Sequence, residues 1–415
     1  MNNETHFPSA FAFRQKPRQT NNDNLKINRM PLCTPANAQR KCKTWWKHNH
    51  SVLGRFSLTR KELGPHRVSL HPRRVPHRRK ARRLVPRLEQ WFEANARDLP
   101  WRRTRAPYSI WVSEIMLQQT QVATVIPYWQ RWMRALPTVE KLARAKPERV
   151  LKLWEGLGYY SRARNLQAAA RQIVEQHGGQ FPKAHADILK LPGIGRYTAG
   201  AIGSIAFGHP QPAVDGNVTR ILTRIFGLRE NPAAKETDAR LWELAGAMVA
   251  NTDDCSVLNQ SLMELGATVC TPRQPNCAKC PVARACVARR ENAIDFIPAQ
   301  GAPIRHEEKQ IAVFIVTDGA RYLVQQRSAR GVNGGFWEFP NSETDARWAV
   351  PENQTPLTTA RHSITRYRIQ LKAYLIHAPR GDGQWCTLAE LRALPFTAAH
   401  RKLLPALTSA KRKAA

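Results

Sequence analysis

Between residues 85 and 290 the apolar side chains recur at three- and four-residue spacing, the period of a half-buried helix. Leu84, Leu88, Trp91 and Phe92 open the pattern, and Val112–Trp132, Val139–Leu153, Ala163–His177 and Leu241–Val249 carry it on between turns containing Pro and Gly. No strand-like alternation precedes residue 300, so 85–295 is predicted to be an all-helical body. Residues 296–309 read as a linker broken by Pro298, Gly301 and Pro303. Beyond them Gln310–Val316, Tyr322–Gln325 and Ile369–Ile376 are short β-branched or aromatic runs, and Leu388–Leu394 and Thr397–Leu407 read as helices. The fold class expected is therefore mainly α, with a smaller α+β domain over 310–410.

Composition adds a partner class. The chain carries a formal net charge of +34, which attracts polyanions and gains from counterion release on a phosphate backbone. An anionic membrane would attract it too, but no apolar run approaches the ~20 residues of a spanning helix. The best candidate, Ala199–Gly208, is short and Gly-rich. The N-terminus lacks the apolar core of a secretory signal, so a reducing, cytoplasmic setting is expected, where clustered cysteines more often bind metal than pair. The first 86 residues hold 20 Lys and Arg against three acids, including the run His71–Arg83. Residues 1–84 are expected to be a basic extension, disordered over 1–80. A solvated tail, or sequence ahead of the true start, is favoured over a DNA-tethering arm.

Cys270, Cys277, Cys280 and Cys286 form C-x6-C-x2-C-x5-C. Four thiolates so close suit one [4Fe–4S] cube. A structural zinc site is the alternative, but it usually pairs two C-x2-C knuckles across a longer gap, and only one is present. Cys33, Cys42, Cys255 and Cys386 lack such spacing and read as ordinary thiols.

Leu191–Ile202 (LPGIGRYTAGAI) is no dinucleotide fingerprint, since no strand precedes it and Thr198 replaces the third glycine. Read as a hairpin between helices, its Gly193 and Gly195 permit a tight turn, and the amides at the next helix start can hold a phosphate. Asp215, opening the helix Val218–Phe226, reads on position alone as an N-cap. Glu114 lies inside an apolar helical stretch, where desolvation raises a carboxyl pKa and suits it to general-acid work. A surface glutamate is the plainer reading.

Together, Leu99–Thr124 (LPWRRTRAPYSIWVSEIMLQQTQVAT), Trp154–Asn165 (WEGLGYYSRARN), the hairpin, Val214–Arg220 and the four cysteines resemble the adenine DNA glycosylases of the MutY type. The resemblance is strong over 88–290 and weaker over 310–407. It implies a helix-hairpin-helix glycosylase body with a [4Fe–4S] loop and a Nudix-like domain that reads 8-oxoguanine. It also implies a monomer acting on double-stranded DNA with adenine opposite 8-oxoguanine, in the bacterial nucleoid. Carried over by residue, Glu114 matches the catalytic acid and Asp215 the second carboxylate, with Asn217 and Arg102 in support. Gln119 and Tyr159 match residues that wedge into the base stack, and Gln260 one that lines the adenine pocket. Tyr197 stands where strand-cutting relatives carry a lysine nucleophile, and a tyrosine cannot form their imine. Gly334–Pro340 (GGFWEFP) matches the turn of the Nudix-like domain, but Asn341–Pro356 holds only Glu343, Asp345 and Glu352, so recognition rather than hydrolysis is expected. Where the family often carries Phe-Ser-His, this chain has Ile364-Thr365-Arg366, with Thr365 keeping a hydroxyl.

Two alternatives stand beside this reading. One is another glycosylase on the same scaffold, for oxidised pyrimidines or thymine mismatches, disfavoured because pyrimidines lack an N7 for Glu114 to protonate. The other is a catalytically silent iron–sulfur DNA-binding protein, disfavoured by the pairing of Glu114 with Asp215.

Overall fold

The computed structural model describes residues 76–413, apart from 300, 302–304, 329–331, 344–348, 351–353, 365 and 379–381. The expectation of disorder over 1–80 lies almost wholly outside them, as do Thr365, Asp345 and Glu352. Helix α1 (Pro76–Asn95) begins nine residues before the boundary expected at 85. Pro is favoured in a first helical turn, and Ala81, Leu84, Val85 and Leu88 give the basic run a buried face. Ten further helices follow: α2 (Pro107–Leu117), α3 (Val122–Ala135), α4 (Val139–Arg144), α5 (Pro147–Trp154), α6 (Ser161–His177), α7 (His185–Ile188), α8 (Arg196–Phe207), α9 (Gly216–Phe226), α10 (Lys235–Val249) and α11 (Cys255–Thr268). A short α12 (Val287–Arg290) closes the cysteine loop.

Two expected helical blocks are each divided. Val112–Trp132 breaks at Gln118–Gln121, where Gln119 takes φ 59°. Val139–Leu153 breaks at Ala145, ahead of Pro147 at the first position of α5, because a residue before proline is pushed out of the helical region.

Among the described residues, two large cores hold most of the body. One gathers α2 to α6 and the hairpin around Trp111, Trp132 and Trp154, all three without solvent exposure. The other gathers α1, α9, α10 and α11 around Leu88, Leu222, Met248 and Leu258. Helix α8 packs on both α2 and α11, so a cleft opens where the cores meet.

The C-terminal domain is a sheet of β1 (Glu307–Thr317), β2 (Tyr322–Gln326), β3 (Trp337–Glu338), β4 (Thr358–Ile364), β5 (Tyr367–His377) and β6 (Gln384–Cys386), in the order β3-β2-β1-β5-β4 with β6 on β2. β1 and β5 run parallel, and the other pairs are antiparallel. Helices α13 (Leu388–Ala393), α14 (Ala398–Arg401) and α15 (Leu404–Lys413) complete it, so the single helix expected over Thr397–Leu407 is two, parted at Lys402–Leu403. Among the described residues no helix is long and apolar enough to cross a membrane.

Candidate active site and cysteine loop

Glu114 sits in the apolar middle of α2 and is 5% exposed, which excludes the surface-glutamate reading. Its Oε2 accepts a hydrogen bond of 2.6 Å from the Tyr197 hydroxyl, carried on the first turn of α8. Burial pushes the Glu114 carboxyl up to about 7; nearby Asp215 adds to the rise, while the Tyr197 hydrogen bond and Arg102 oppose it. Tyr197 is held well above its ordinary value by burial and by the two carboxylates, so it stays a protonated donor.

Asp215 is the N-cap of α9, its Oδ1 accepting 2.7 Å from the Val218 amide. Its Oδ2 accepts 2.8 Å from Asn217 Nδ2, and Asn217 Oδ1 in turn accepts 2.8 Å from Arg220. Burial raises the Asp215 carboxyl, and the Val218 and Asn217 hydrogen bonds counter it. Asp215 is therefore the helix cap its position suggested, and the same side chain also lines the cleft.

Glu114, Asp215, Tyr197, Asn217, Arg102, Gln119 and Gln260 all line one cleft of about 550 Å³. Arg102, on the 3-10 turn Pro100–Arg103, does not bond Glu114; it donates 2.8 Å to Glu264, which sequence reasoning missed. Arg97 donates to Glu264 as well, at 2.6 and 2.9 Å. Burial pushes the Glu264 carboxyl up, and these arginines outweigh it, holding it at about 2. The position reads in sequence as one more polar residue of α11, with no local hint of its partners. Gly266 was missed for the same reason: a Cβ there would lie 2.5 Å from Asn217 Cβ.

Tyr159, Gly193 and Gly195 are not among the residues that line the cleft. Tyr159 is 52% exposed at φ 46°, and Gln119, in the cleft, stands in a turn at φ 59°. Both conformations are uncommon for residues other than glycine. Arg162 clamps the two turns together: one nitrogen donates to the Ile115 and Gln118 carbonyls, the other to Leu157 and Gly158. In the hairpin, Gly193 has φ 77° and a Cβ there would lie 2.7 Å from Asn165, so its turn needs glycine. Gly195 does not: it caps α8 at φ −97°, an ordinary conformation, with open space where a Cβ would sit. What its missing side chain leaves is room for close approach to the start of α8.

The four cysteines line a second cavity, walled by Ile221, Ile225, Leu265, Val269 and Val282. Arg224, 3% exposed, donates 3.5 Å to Cys270 Sγ and bonds the carbonyls of Thr271, Pro272, Ile294 and Ile297. Among the described residues no group of three or more His, Cys, Asp or Glu is placed to hold a metal ion. Cys255 and Cys386 are buried thiols away from the cavity.

In the C-terminal domain Glu338 is 1% exposed and paired with Arg327 at 2.7 Å, and Glu343 pairs with Lys309 at 3.0 Å. These carboxylates serve structural pairs.

The two carboxylates and the hairpin on this helical body define a helix-hairpin-helix glycosylase, and the comparisons agree. The HhH-GPD superfamily of base excision DNA repair proteins matches residues 112–247, and the NUDIX domain matches 312–406. The adenine DNA glycosylase of Rattus norvegicus is 35% identical over 395 residues, spanning 76% of this chain and 76% of its own length. That of Homo sapiens is 38% identical over 345 residues, spanning 66% of this chain and 62% of its own. Among solved structures, a thermostable thymine-DNA glycosylase matches at 30% identity with a TM-score of 0.48, covering 51% of this chain and 98% of that one. The chain belongs to the adenine DNA glycosylase family.

Proposed function

We propose that the protein binds double-stranded DNA and hydrolytically removes adenine mispaired with 8-oxoguanine or guanine, leaving an abasic site without cutting the strand. The observation that carries this reading is the buried Glu114 carboxyl, raised to about 7 and hydrogen-bonded by Tyr197 in a cleft it shares with Asp215. A base inside a duplex cannot reach such a carboxyl, so the adenine is flipped into the cleft. Below about pH 7 Glu114 holds its proton and donates it to adenine N7 as the glycosidic bond breaks. Adenine leaves as a neutral base. The sugar becomes an oxocarbenium ion, which the Asp215 carboxylate stabilises until water adds, a division of labour glycosidases also use. Asn217, hydrogen-bonded to Asp215, fixes that carboxylate, and Gln260 lines the wall facing the base. Tyr197 in the hairpin supplies no amine, so no imine forms and the strand stays intact.

Gly193, Gly195 and the start of α8 form the phosphate-holding turn. Gln119 and Tyr159 enter the base stack. The C-terminal domain, with Thr365 in its reading loop, favours 8-oxoguanine over guanine, and the protein acts as a monomer in the bacterial nucleoid.

Cys270, Cys277, Cys280 and Cys286 are the residues that would hold a [4Fe–4S] cluster. Four cysteines in C-x6-C-x2-C-x5-C spacing around one apolar cavity suit a cube, whereas a zinc site usually pairs two C-x2-C knuckles. When bound, the cluster supplies a cross-link that fixes the loop on α9 and α11. Iron and sulfide analysis tests it, and a colourless zinc protein overturns it.

The deciding experiment is single-turnover excision on duplexes carrying A opposite 8-oxoguanine, A opposite G, T opposite G, and thymine glycol. Excision from the adenine duplexes is expected. Activity on a pyrimidine with none on either adenine duplex overturns the assignment.

A further inference from the structure

Phe336 belongs by sequence to the C-terminal domain, yet it is fully buried in the core of the helical body. Its ring lies 4.0 Å from that of Tyr160, the residue after Tyr159. The turn that delivers it is fitted to the body: Gly335 adopts φ 80°, and a Cβ on it would meet Leu151 at 3.3 Å. Polar contacts flank this plug. Arg164 donates 2.9 Å to the Gly334 carbonyl. Lys152 donates to the Arg392 and Leu394 carbonyls at 2.6 and 2.8 Å. Glu155 accepts 2.9 Å from the Phe396 amide and pairs with Arg401 at 3.0 Å.

Each of these body residues lies within 151–164, and Tyr159 falls inside that stretch. Tyr159 itself touches the domain through none of them; its ring is exposed and its backbone holds an uncommon conformation. Such a conformation persists only where the surroundings over-determine it. Arg162 restrains one side from within the body, and the Tyr160–Phe336 contact restrains the other from the second domain.

We infer that the C-terminal domain sets the position of Tyr159, with Phe336 and Glu155 as positioning residues that act on it through Tyr160 and the C-terminal end of α5. The inference rests on the reading above that Tyr159 enters the DNA stack. The domain would thus tune the body's grip on the duplex as well as read the base opposite adenine.

The test is a double-mutant cycle in the full chain. Duplex affinity and single-turnover excision, on A opposite 8-oxoguanine, are measured for the parent, Phe336→Ala, Tyr159→Ala and the double variant. A 2-aminopurine beside the mispair reports stacking. Phe336→Ala is expected to weaken binding by on the order of tenfold, within the coupling range of residues linked through a shared backbone shift, and to change the 2-aminopurine signal. In the Tyr159→Ala background the same change should cost nothing further, and Phe336→Leu should restore most of the loss. Should Phe336→Ala fail to fold, Glu155→Gln takes its place in the cycle. Effects that multiply overturn the control of Tyr159 by the C-terminal domain while leaving Tyr159 its role. A Tyr159→Ala chain that binds like the parent removes that role, and this inference with it.

Discussion

Replacing Glu114 with Gln is expected to stop excision and, increasingly as pH rises above 4.5, to stabilise the fold. The folded carboxyl titrates at about 7 against an ordinary value of 4.5. Between those values the folded state binds more protons than the unfolded one, so the parent loses stability as pH rises through that window. At ~1.4 kcal/mol per pH unit the full cost, reached above about pH 7, is about 3 kcal/mol. Glutamine is neutral throughout and still offers Tyr197 an acceptor oxygen, so it avoids the cost. The variant should match the parent near pH 4.5 and exceed it by about 3 kcal/mol at pH 8. For a body of this size that is roughly 5–10 °C in Tm. Thermal unfolding of both chains at the two pH values reads it, and taking their difference cancels the titrating groups that do not couple to Glu114. An advantage that does not change with pH would refute the claim that burial of this carboxyl sets its proton affinity.

Tyr197→Phe removes a hydrogen bond that holds Glu114 down, so the fall of excision rate at alkaline pH should move to higher pH; an unmoved or acid-shifted limb contradicts this. Gly266→Ala would force its Cβ against Asn217 and displace the hydrogen-bonded partner of Asp215, slowing single-turnover excision by on the order of 100-fold; a parent-like rate would show that the helix start can yield. Glu264→Gln leaves Arg97 and Arg102 without their shared anion, and a loss of about 3 kcal/mol in urea unfolding at pH 7 is expected. Because the Glu264 carboxyl lies at about 2 in the fold against 4.5 otherwise, that difference should shrink as pH falls from 4.5 toward 2, and a constant difference would count against the ion pair.

The helical body and the switch to β structure were legible because each buries one face, which stamps a period on the sequence. The break at Gln118–Gln121 was not. Its sequence holds no Gly or Pro, and the left-handed Gln119 is imposed by Arg162 from more than forty residues away. Strand β4 escaped notice because Thr358–Ile364 alternates only between exposed and half-buried positions, and β3 is two residues long. In the site, Glu114 was readable because a carboxylate inside an apolar run is out of place. Glu264 is more deeply buried, but what keeps it charged are Arg97 and Arg102, and nothing local announces them. Phe336 was readable as part of a domain signature and not as a member of another domain's core.

Asp215 joins two duties in one side chain. One oxygen closes the first turn of α9, and the other, held by Asn217, belongs to the cleft. Substitutions can separate them, because the duties ask for different properties. Asparagine can cap a helix as well as aspartate but has no negative charge, while glutamate keeps the charge on a longer arm that fits the cap poorly. A chain that folds yet is inert, and one that is charged yet frayed at α9, would result. If Asp215 acts as proposed, neither single step preserves both duties, and the two can be separated only by giving one of them up.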